Sequence, residues 1–137
     1  MIEDTVFAKI IRREIPADIV YEDDETMAFL DVKPIAPGHT LVIPKKPVRN
    51  IFDVDDDTLA SVMRTVRKIA PAVRDAVSAH GVHINSNHEA AAGQIVFHLH
   101  FHIIPRHDRK EFSFWKQKEI APRDTSLLAE KIRQAIG

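Results

Sequence analysis

The sequence predicts one α+β domain built on an antiparallel sheet of about five strands, with one main helix and shorter N-terminal and C-terminal helices. The chain has 137 residues, which is enough to bury a single core. Its strand-like and helix-like segments are segregated rather than strictly alternating, which is typical of α+β folds. No internal repeat, linker or low-complexity stretch divides the chain, so residues 1–137 are predicted to form one domain.

The first half of the chain is predicted to form a short helix followed by three strands. Asp4 is a candidate N-cap for a helix that runs from Thr5 to about Arg13, and Ile15-Pro16 ends it. Runs of apolar and β-branched residues between polar or proline-containing turns predict strands over residues 19–21, 26–32 and 39–43.

The second half of the chain is predicted to hold the main helix, two further strands and a last helix. Apolar residues recur at helical spacing from Leu59 to Val77, after acids at 55–57 that suit a helix N-terminus. Pro71 interrupts this stripe, so a kink or a break is expected there. The later elements are predicted over 81–86 (strand), 87–93 (loop), 94–104 (strand) and about 125–136 (amphipathic helix).

Composition limits the classes of function. The formal net charge is −1, which argues against a nucleic-acid binder with a strongly basic surface. The absence of cysteine excludes a disulfide framework, a Cys-ligated zinc site and a thiol nucleophile, and it fits the reducing cytoplasm. Neither a secretory leader nor a run of about 18 apolar residues is recognised, so a cytoplasmic protein without membrane contact is expected.

Three of the eight histidines lie within five residues, at positions 98, 100 and 102. On a strand, alternate side chains share one face, so the three imidazoles are predicted to point one way, about 7 Å apart. The apolar residues between and after them would face the core. A strand anchored in this way holds its other face rigidly, as a reacting site requires.

Three interpretations of these histidines remain open from the residues alone. They occupy the solvent side of a strand by chance, they ligate zinc, or one of them attacks phosphorus while a neighbour manages protons. The tract contains no acid to orient a ligating ring, which disfavours zinc. Neighbouring imidazoles also discourage one another from becoming charged, which keeps an attacking ring neutral.

Residues upstream of the histidines favour phosphate chemistry. The segment Ala90-Ala91-Ala92-Gly93-Gln94 is small and contains glycine, so its backbone N–H groups can approach a phosphate closely. Asp31, at the end of a predicted strand, is a candidate for binding the hydroxyls of a ribose. Asn87 is a candidate either for phosphate binding or for capping a turn.

The run from Gly93 to Ile104 contains His-φ-His-φ-His-φ-φ, where φ is apolar, and it resembles the signature of the histidine triad (HIT) family. Segments over residues 5–17, 29–46 and 87–94 resemble the histidine-triad nucleotide-binding (Hint-like) branch of that family. The similarity covers about residues 4–106, and a tail with a helix follows over 107–137. The resemblance implies the HIT fold, in a homodimer whose two sheets join into one.

The resemblance further implies a purine nucleotide site in each protomer. His100 would attack the α-phosphorus and form a nucleotidyl-histidine intermediate, while Asp31 would hold the ribose. The base would lie in an apolar cleft formed by Val6, Phe7, Ile10, Ile15, Phe29 and Val32. The other implied site residues are Asn87, Gly93, Gln94, His98 and His102 around the phosphate, with His39 behind the triad. The resemblance implies neither a metal nor another cofactor.

Some positions depart from the family pattern. Relatives with an N-terminal zinc site have Cys-x-x-Cys where this chain has Thr5 and Ala8, so that site is expected to be absent. A histidine that often follows the paired lysines is replaced by Pro47. Glu89 stands where glycine is common, and Ile95 stands where a small polar residue often contacts phosphate.

Hydrolysis of a nucleoside phosphoramidate or adenylate through His100 is therefore the leading hypothesis. The alternatives are a dinucleoside polyphosphate hydrolase, a nucleotide-binding regulatory module with incidental catalysis, and a metal-binding protein. Lys45-Lys46 could steer phosphate, although solvated charges are more common at such positions. For the aromatic residues of the tail, packing onto the chain's own domain is favoured over capping of the active site; they are Phe112, Phe114 and Trp115.

Overall fold

The structure is a computed structural model, and it describes residues 4–113 and 115–137. Phe114 lies outside the described residues. Within them, five strands and three α-helices follow in the order α1 (Val6–Ile11), β1 (Ile19–Glu22), β2 (Thr26–Leu30), β3 (Thr40–Pro44), α2 (Asp56–Ala76), β4 (Gly81–Asn85), β5 (Phe101–Arg106) and α3 (Pro122–Ile136). Short 3₁₀ turns lie at Ala90–Ala92 and Arg109–Glu111.

The strands form one sheet in the order β1-β2-β3-β5-β4, and every neighbouring pair is antiparallel. The predicted α+β class with a five-stranded antiparallel sheet is therefore confirmed. The sheet is covered on both faces, because alternate residues of β2 and β3 face opposite sides. The cluster on the α1 side contains Phe7, Ile10, Met27, Phe29, Leu41 and Ile43, and the cluster on the α2 side contains Ala28, Val42, Val62, Val66, Ile69 and Ile103.

The first helix is capped by Thr5 rather than by Asp4. The Thr5 hydroxyl accepts the backbone N–H of Ala8 at 3.1 Å, whereas the carboxylate of Asp4 pairs with Arg12 at 2.8 Å. The prediction of Asp4 as the N-cap was wrong by one position, because both residue types can cap a helix and they are adjacent here. The helix is also shorter than predicted and ends at Ile11.

Pro71 does not end the main helix. Helix α2 runs from Asp56 to Ala76, with Asp55 as its N-cap and Pro71 inside it. The proline is exposed, so the carbonyl of Arg67, which loses its helical partner, lies on the side where water can replace it. The predicted break is therefore absent, although the predicted start of the helix near Asp55 is confirmed.

The last strand is much shorter at its start than the sequence predicts. Strand β5 begins at Phe101 and continues through Pro105 to Arg106, whereas the prediction was 94–104. Residues 94–100 make other contacts: the backbone N–H of Leu99, for example, donates to the carbonyl of Val48 at 2.8 Å. Two of the three clustered histidines thus precede the strand.

The C-terminal helix does not pack into the core of its own domain. None of the residues of α3 is buried, and its apolar side chains are about half exposed or more: Leu127, Leu128, Ile132 and Ile136. Trp115 is 83% exposed. The expectation that the aromatic residues of the tail pack onto their own domain is therefore wrong for Trp115. Phe112 does pack there, with its ring edge to face with that of His83 at 4.9 Å between centroids.

Candidate active site

The three clustered histidines lie on the α1 face of the sheet. Leu41 is the register partner of His102 across β3 and β5, and it belongs to the cluster beneath α1. Directly opposed residues of an antiparallel pair share a face, so His102 lies on the α1 side as well. Helix α1 therefore covers the surface on which the histidines are held.

Phe7 of α1 contacts two of the three imidazoles. Its ring lies edge to face with His100 at 5.0 Å and with His98 at 6.3 Å between centroids. The rings of His100 and His102 are 5.1 Å apart. The predicted common face is therefore confirmed, but the rings form a compact and mostly buried group, with His98 only 2% and His100 only 8% exposed. This rules out a chance row of solvent-facing histidines.

Backbone carbonyls fix the tautomer of two rings. Nδ1 of His100 lies 2.7 Å from the carbonyl oxygen of His98, and Nε2 of His98 lies 2.8 Å from that of Pro44. A carbonyl oxygen can only accept, so the proton of His100 is on Nδ1 and that of His98 is on Nε2. The neutral His100 ring consequently keeps a lone pair on Nε2, which is what a nucleophile needs.

A second chain of hydrogen bonds fixes His39 and His102. The backbone N–H of Ile35 donates to Nδ1 of His39 at 3.1 Å, so a neutral His39 carries its proton on Nε2. That Nε2 lies 2.9 Å from Nδ1 of His102 and donates to it. The proton of His102 is then on Nε2, and this ring can act as a donor at that atom.

All four rings are held neutral. Burial is the largest cause that lowers the pKa of His39, His98 and His100. Burial lowers the pKa of His102 to about 4, with smaller contributions from His100 and His39. From the sequence, neighbouring imidazoles were expected to keep the rings neutral, but desolvation lowers the pKa values more than the neighbours do.

Asp31 follows β2 and lies beside the hydrogen-bonded pair of His39 and His102. Its Oδ2 is 3.7 Å from Nε2 of His39, which is too long for a hydrogen bond, and its Oδ1 accepts the N–H of Lys33 at 2.9 Å. The side chain is 20% exposed, so one face of the carboxylate is open to a ligand. Asp31, His39 and His102 also have ligand-type atoms within 4.8 Å of one another. In the described part of the chain the triad itself does not form such a donor set.

The loop before the histidines is shaped by Gly93. This residue has φ of +91°, a conformation that favours glycine, and a Cβ there would lie 3.3 Å from Nδ2 of Asn87. The Asn87 amide donates weakly to the Gly93 carbonyl at 3.4 Å. Asn87 and Gly93 therefore lie together, as the sequence hypothesis requires.

Gln94 has a structural role in this loop. Its Oε1 accepts from Asn50 Nδ2 and from the N–H of Glu89, while its Nε2 donates to the carbonyls of Arg49 and Val96. These four bonds use the whole hydrogen-bonding capacity of the amide. The side chain of Gln94 thus supports the loop, and its place among the residues around the phosphate stays a prediction.

Glu89 is held in a strained conformation by a clamp that the sequence did not indicate. Its φ is +76°, although it is not glycine. Its carboxylate accepts two hydrogen bonds from Arg49, at 2.9 and 3.0 Å, and one from Asn50 at 2.6 Å. The hydrogen bonds from Arg49 lower the pKa of Glu89 to about 2, with Asn50 contributing next. At Glu89 the loop therefore has a backbone conformation that glycine would adopt without strain, and the hydrogen bonds from Arg49 and Asn50 hold the glutamate in it.

The six residues predicted to form the base cleft fall into two groups. Phe7, Ile10 and Phe29 are buried in the α1-side core, and Ile15 packs against it. Val6 and Val32 are exposed, at 42% and 84%. The buried members have little surface for direct contact with a base, whereas Val6, Val32 and the partly exposed Ile15 have more.

A cavity lies beside helix α1 at Ala8. It has a volume of about 250 Å³ and is lined by Ala8, Lys45, Pro47 and His98, among others. The side chain of Thr5 is engaged in capping α1. The two lysines are ion-paired, Lys45 with Glu22 and Lys46 with Asp55, each at 2.7 Å. Their contacts favour structural roles over phosphate steering.

The sequence did not indicate three residues that support the site through hydrogen bonds, which are Ser86, Arg49 and Asn50. The Ser86 hydroxyl donates to the carbonyl of His100 at 2.7 Å, and Arg49 and Asn50 clamp the loop from 40 residues and more away. No local pattern identifies such partners. His107, which follows the triad strand, donates from Nε2 to the carbonyl of Val77 at 2.8 Å and so ties β5 to the end of α2.

The chain is similar to known proteins in sequence and in fold. The sequence model of the HIT domain matches residues 12–109. The protein named "Protein hit" from Bacillus subtilis is 37% identical over 139 aligned positions, which cover 98% of this chain and 96% of that protein. Adenylylsulfatase HINT3 from Arabidopsis thaliana is 40% identical over 106 positions, covering 77% of this chain but 54% of that protein.

A solved structure shows the same architecture. The crystal structure of the histidine triad nucleotide-binding protein from Candida albicans superimposes with a TM-score of 0.84 at 29% sequence identity, covering 96% of each chain. In the part of this chain that the structure describes, no helix is long and apolar enough to cross a membrane.

Proposed function

The chain belongs to the HIT domain family, and from this premise we propose that it is a nucleotide-binding hydrolase or transferase in which His100 attacks phosphorus. The substrate we propose is a purine nucleoside phosphoramidate or an adenylate, attacked at the α-phosphate. One observation carries the proposal. The hydrogen bond from Nδ1 of His100 to the carbonyl of His98 leaves Nε2 unprotonated in a ring that burial keeps neutral.

The proposed reaction has two displacements. In the first, Nε2 of His100 forms a bond to the α-phosphorus as the bond from phosphorus to the leaving nitrogen or oxygen breaks; Nε2–H of His102 donates a hydrogen bond to the leaving atom, which takes its proton from solvent. In the second, the oxygen of a water molecule bonds to phosphorus as the N–P bond breaks, and the proton of that water goes to solvent. The hydrogen bond from His39 keeps His102 in the tautomer that the first step requires.

Binding is proposed to use the surroundings of the triad. Asp31 accepts hydrogen bonds from the ribose hydroxyls, and the base lies against Val6 and Val32 above the core residues Phe7, Ile10 and Phe29, with Ile15 at its side. Asn87 and Gly93 lie next to the phosphate, and Gln94 supports them. The relative named adenylylsulfatase favours adenylates among the substrates of this class. No metal or other cofactor takes part in the proposed steps.

The test compares two substrates in the presence and absence of a chelator. We expect purified protein to cleave adenosine phosphoramidate faster than diadenosine tetraphosphate, at a rate that EDTA does not change. A faster rate on the tetraphosphate would favour the polyphosphate hydrolase, and activity lost with EDTA and regained with zinc would favour a metal enzyme. Nucleotide binding with negligible turnover on both would favour a regulatory module.

Replacement of the nucleophile tests the role of His100. We expect His100→Ala to lower kcat at least ~1000-fold while nucleotide affinity stays within a few-fold, because the ring contributes mainly to the chemical step. His80→Ala, at an exposed histidine outside the triad, is the matched control. Normal turnover of the His100→Ala protein would overturn the mechanism.

A further inference from the structure

A groove lies at the end of the sheet where β4 begins and β5 ends. It has a volume of about 410 Å³, and the residues that line it include His83, Arg106, His107 and Arg109. Alternation along β5 puts Arg106 on the same face as His102, and the register of β4 with β5 puts His83 opposite Ile104 on that face. The groove thus shares the sheet face of the triad, four residues further along β5.

Two residues that line this groove each have a buried side-chain nitrogen with no hydrogen-bond partner within the described residues. These nitrogens are Nδ1 of His83 and Nε of Arg106, and no other buried side-chain nitrogen or oxygen of the described chain is left in this way. In native proteins nearly all buried polar atoms form hydrogen bonds, so two unpaired nitrogens on residues of one groove indicate that a hydrogen-bonding partner is missing. Arg106 also forms no ion pair with a described carboxylate, although a guanidinium is always charged.

The carboxylates of Asp108 and Glu111, next to this groove, accept hydrogen bonds from backbone N–H groups. The carboxylate of Asp108 accepts the N–H of Lys110 at 2.8 Å, and that of Glu111 accepts the N–H groups of His107 and Asp108, both at 2.9 Å. They form a capping box for the turn at Arg109–Glu111. The groove consequently combines cationic or proton-donating side chains with acids that face their own backbone.

We propose that this groove is a second anion site, which binds a phosphate group through Arg106 and His83. The Arg106 guanidinium binds a phosphate oxygen with charge-assisted hydrogen bonds, and the His83 ring donates one further hydrogen bond when the nitrogen facing the phosphate is protonated. The backbone of Arg106 lies about 13 Å beyond that of His102 along the strand, so we place this anion apart from the phosphate that His100 attacks. The field of Arg106 nevertheless reaches the relay, because it contributes, after burial, to lowering the pKa of His39.

The phosphate has two potential sources. It is either a distal phosphate of a polyphosphorylated substrate whose α-phosphate lies at His100, or free inorganic phosphate. The first source rests on the function proposed above, whereas the anion site itself does not.

The first experiment measures inorganic phosphate binding by calorimetry on the full chain, with and without saturating adenosine monophosphate. We expect phosphate to bind in both conditions and Arg106→Gln to weaken it at least about tenfold. Arg123→Gln, at an exposed arginine of α3, is the matched control. Equal phosphate affinity in Arg106→Gln, or complete loss of phosphate binding when the monophosphate is present, would overturn the proposal.

A parallel titration with adenosine monophosphate alone separates this proposal from the proposed function. If the monophosphate does not bind, the proposed function fails, while the comparison of Arg106→Gln with the unaltered chain still decides the anion site. If Arg106→Gln does not fold, as judged by circular dichroism, His83→Leu replaces it, because it removes the other donor and keeps an apolar contact for Phe112. Unchanged phosphate affinity in His83→Leu would then overturn the site.

The second experiment distinguishes the sources of the phosphate. KM values for diadenosine tetraphosphate and for adenosine phosphoramidate are compared in the unaltered chain and in Arg106→Gln. A distal-phosphate site predicts that the KM for the tetraphosphate rises about tenfold more than the KM for the phosphoramidate. A KM ratio that does not change, together with weaker phosphate binding, assigns the site to free phosphate.

Discussion

At the scale of single residues, the account depends on which nitrogen of each imidazole carries the proton. The sequence predicted the histidines and their common face from a period of two. It could not predict two of the tautomers, because distant backbone groups set them: the carbonyl of Pro44 sets that of His98, and the N–H of Ile35, through His39, sets that of His102. Partners 54 and 63 residues away in sequence leave no local signal.

The relay through His39 gives a prediction at this scale. We expect His39→Leu to lower kcat on the order of tenfold or more with little change in KM, because His102 loses the donor that keeps its proton on Nε2. His39→Gln can present an amide N–H near the position of Nε2 and should retain more activity than His39→Leu. Steady-state kinetics on the phosphoramidate measure both. Equal rates for the two variants, or no loss in either, would count against the relay.

At the scale of elements, the loop before the histidines shows where sequence and structure diverge. The sequence predicted a strand over 94–104, since its apolar alternation continues through that range. In the structure, residues 94–100 form hydrogen bonds with other partners, such as Val48 and Pro44. Pairing between strands therefore starts only at Phe101. Periodicity reports which side chains are buried, but it does not report which backbone groups pair.

Glu89 gives a prediction at the scale of this loop. Its positive φ would suit glycine, and the clamp from Arg49 and Asn50 is what holds the charged residue there. We expect Glu89→Ala to be less stable than Glu89→Gly by about 1 kcal/mol, since both lose the clamp but only alanine keeps the strain. Urea denaturation of the two variants measures the difference. An alanine variant as stable as the glycine variant would show that the loop is not strained.

At the scale of the whole molecule, stability depends on pH because of four neutral histidines: His39, His98 and His100, which are buried, and His102, which is partly buried. Their pKa values in the folded protein lie below those in the unfolded chain, near 6.5. As the pH falls below 6.5, the unfolded chain takes up protons that the folded protein does not, until about pH 4 for His102. We therefore expect the free energy of unfolding to fall between pH 7 and pH 4.

Urea denaturation at several pH values checks this expectation. His102→Asn is a useful comparison, because it removes the histidine whose pKa is lowered to about 4 and should flatten the dependence. A free energy of unfolding that stays constant or rises from pH 7 to pH 4 would contradict the burial of neutral rings.

The exposed C-terminal helix gives the other prediction at this scale. We propose that the chain forms a homodimer, in which the apolar side of α3 and Trp115 are covered by the second copy. Sedimentation equilibrium should then give twice the mass of one chain, and Leu128→Glu with Ile132→Glu should shift the equilibrium toward monomer. Glu130→Lys, on the same helix, is the charged control. A monomer at high micromolar concentration would contradict the proposal.

The stereochemical course at phosphorus tests the central claim most directly. A phosphoramidate made chiral at the α-phosphorus by sulfur substitution is hydrolysed in water enriched in ¹⁸O, and the configuration of the product is determined. Attack by His100 followed by attack of water inverts the phosphorus twice, so the account predicts overall retention. Overall inversion would show that water attacks directly and that His100 forms no bond to the nucleotide.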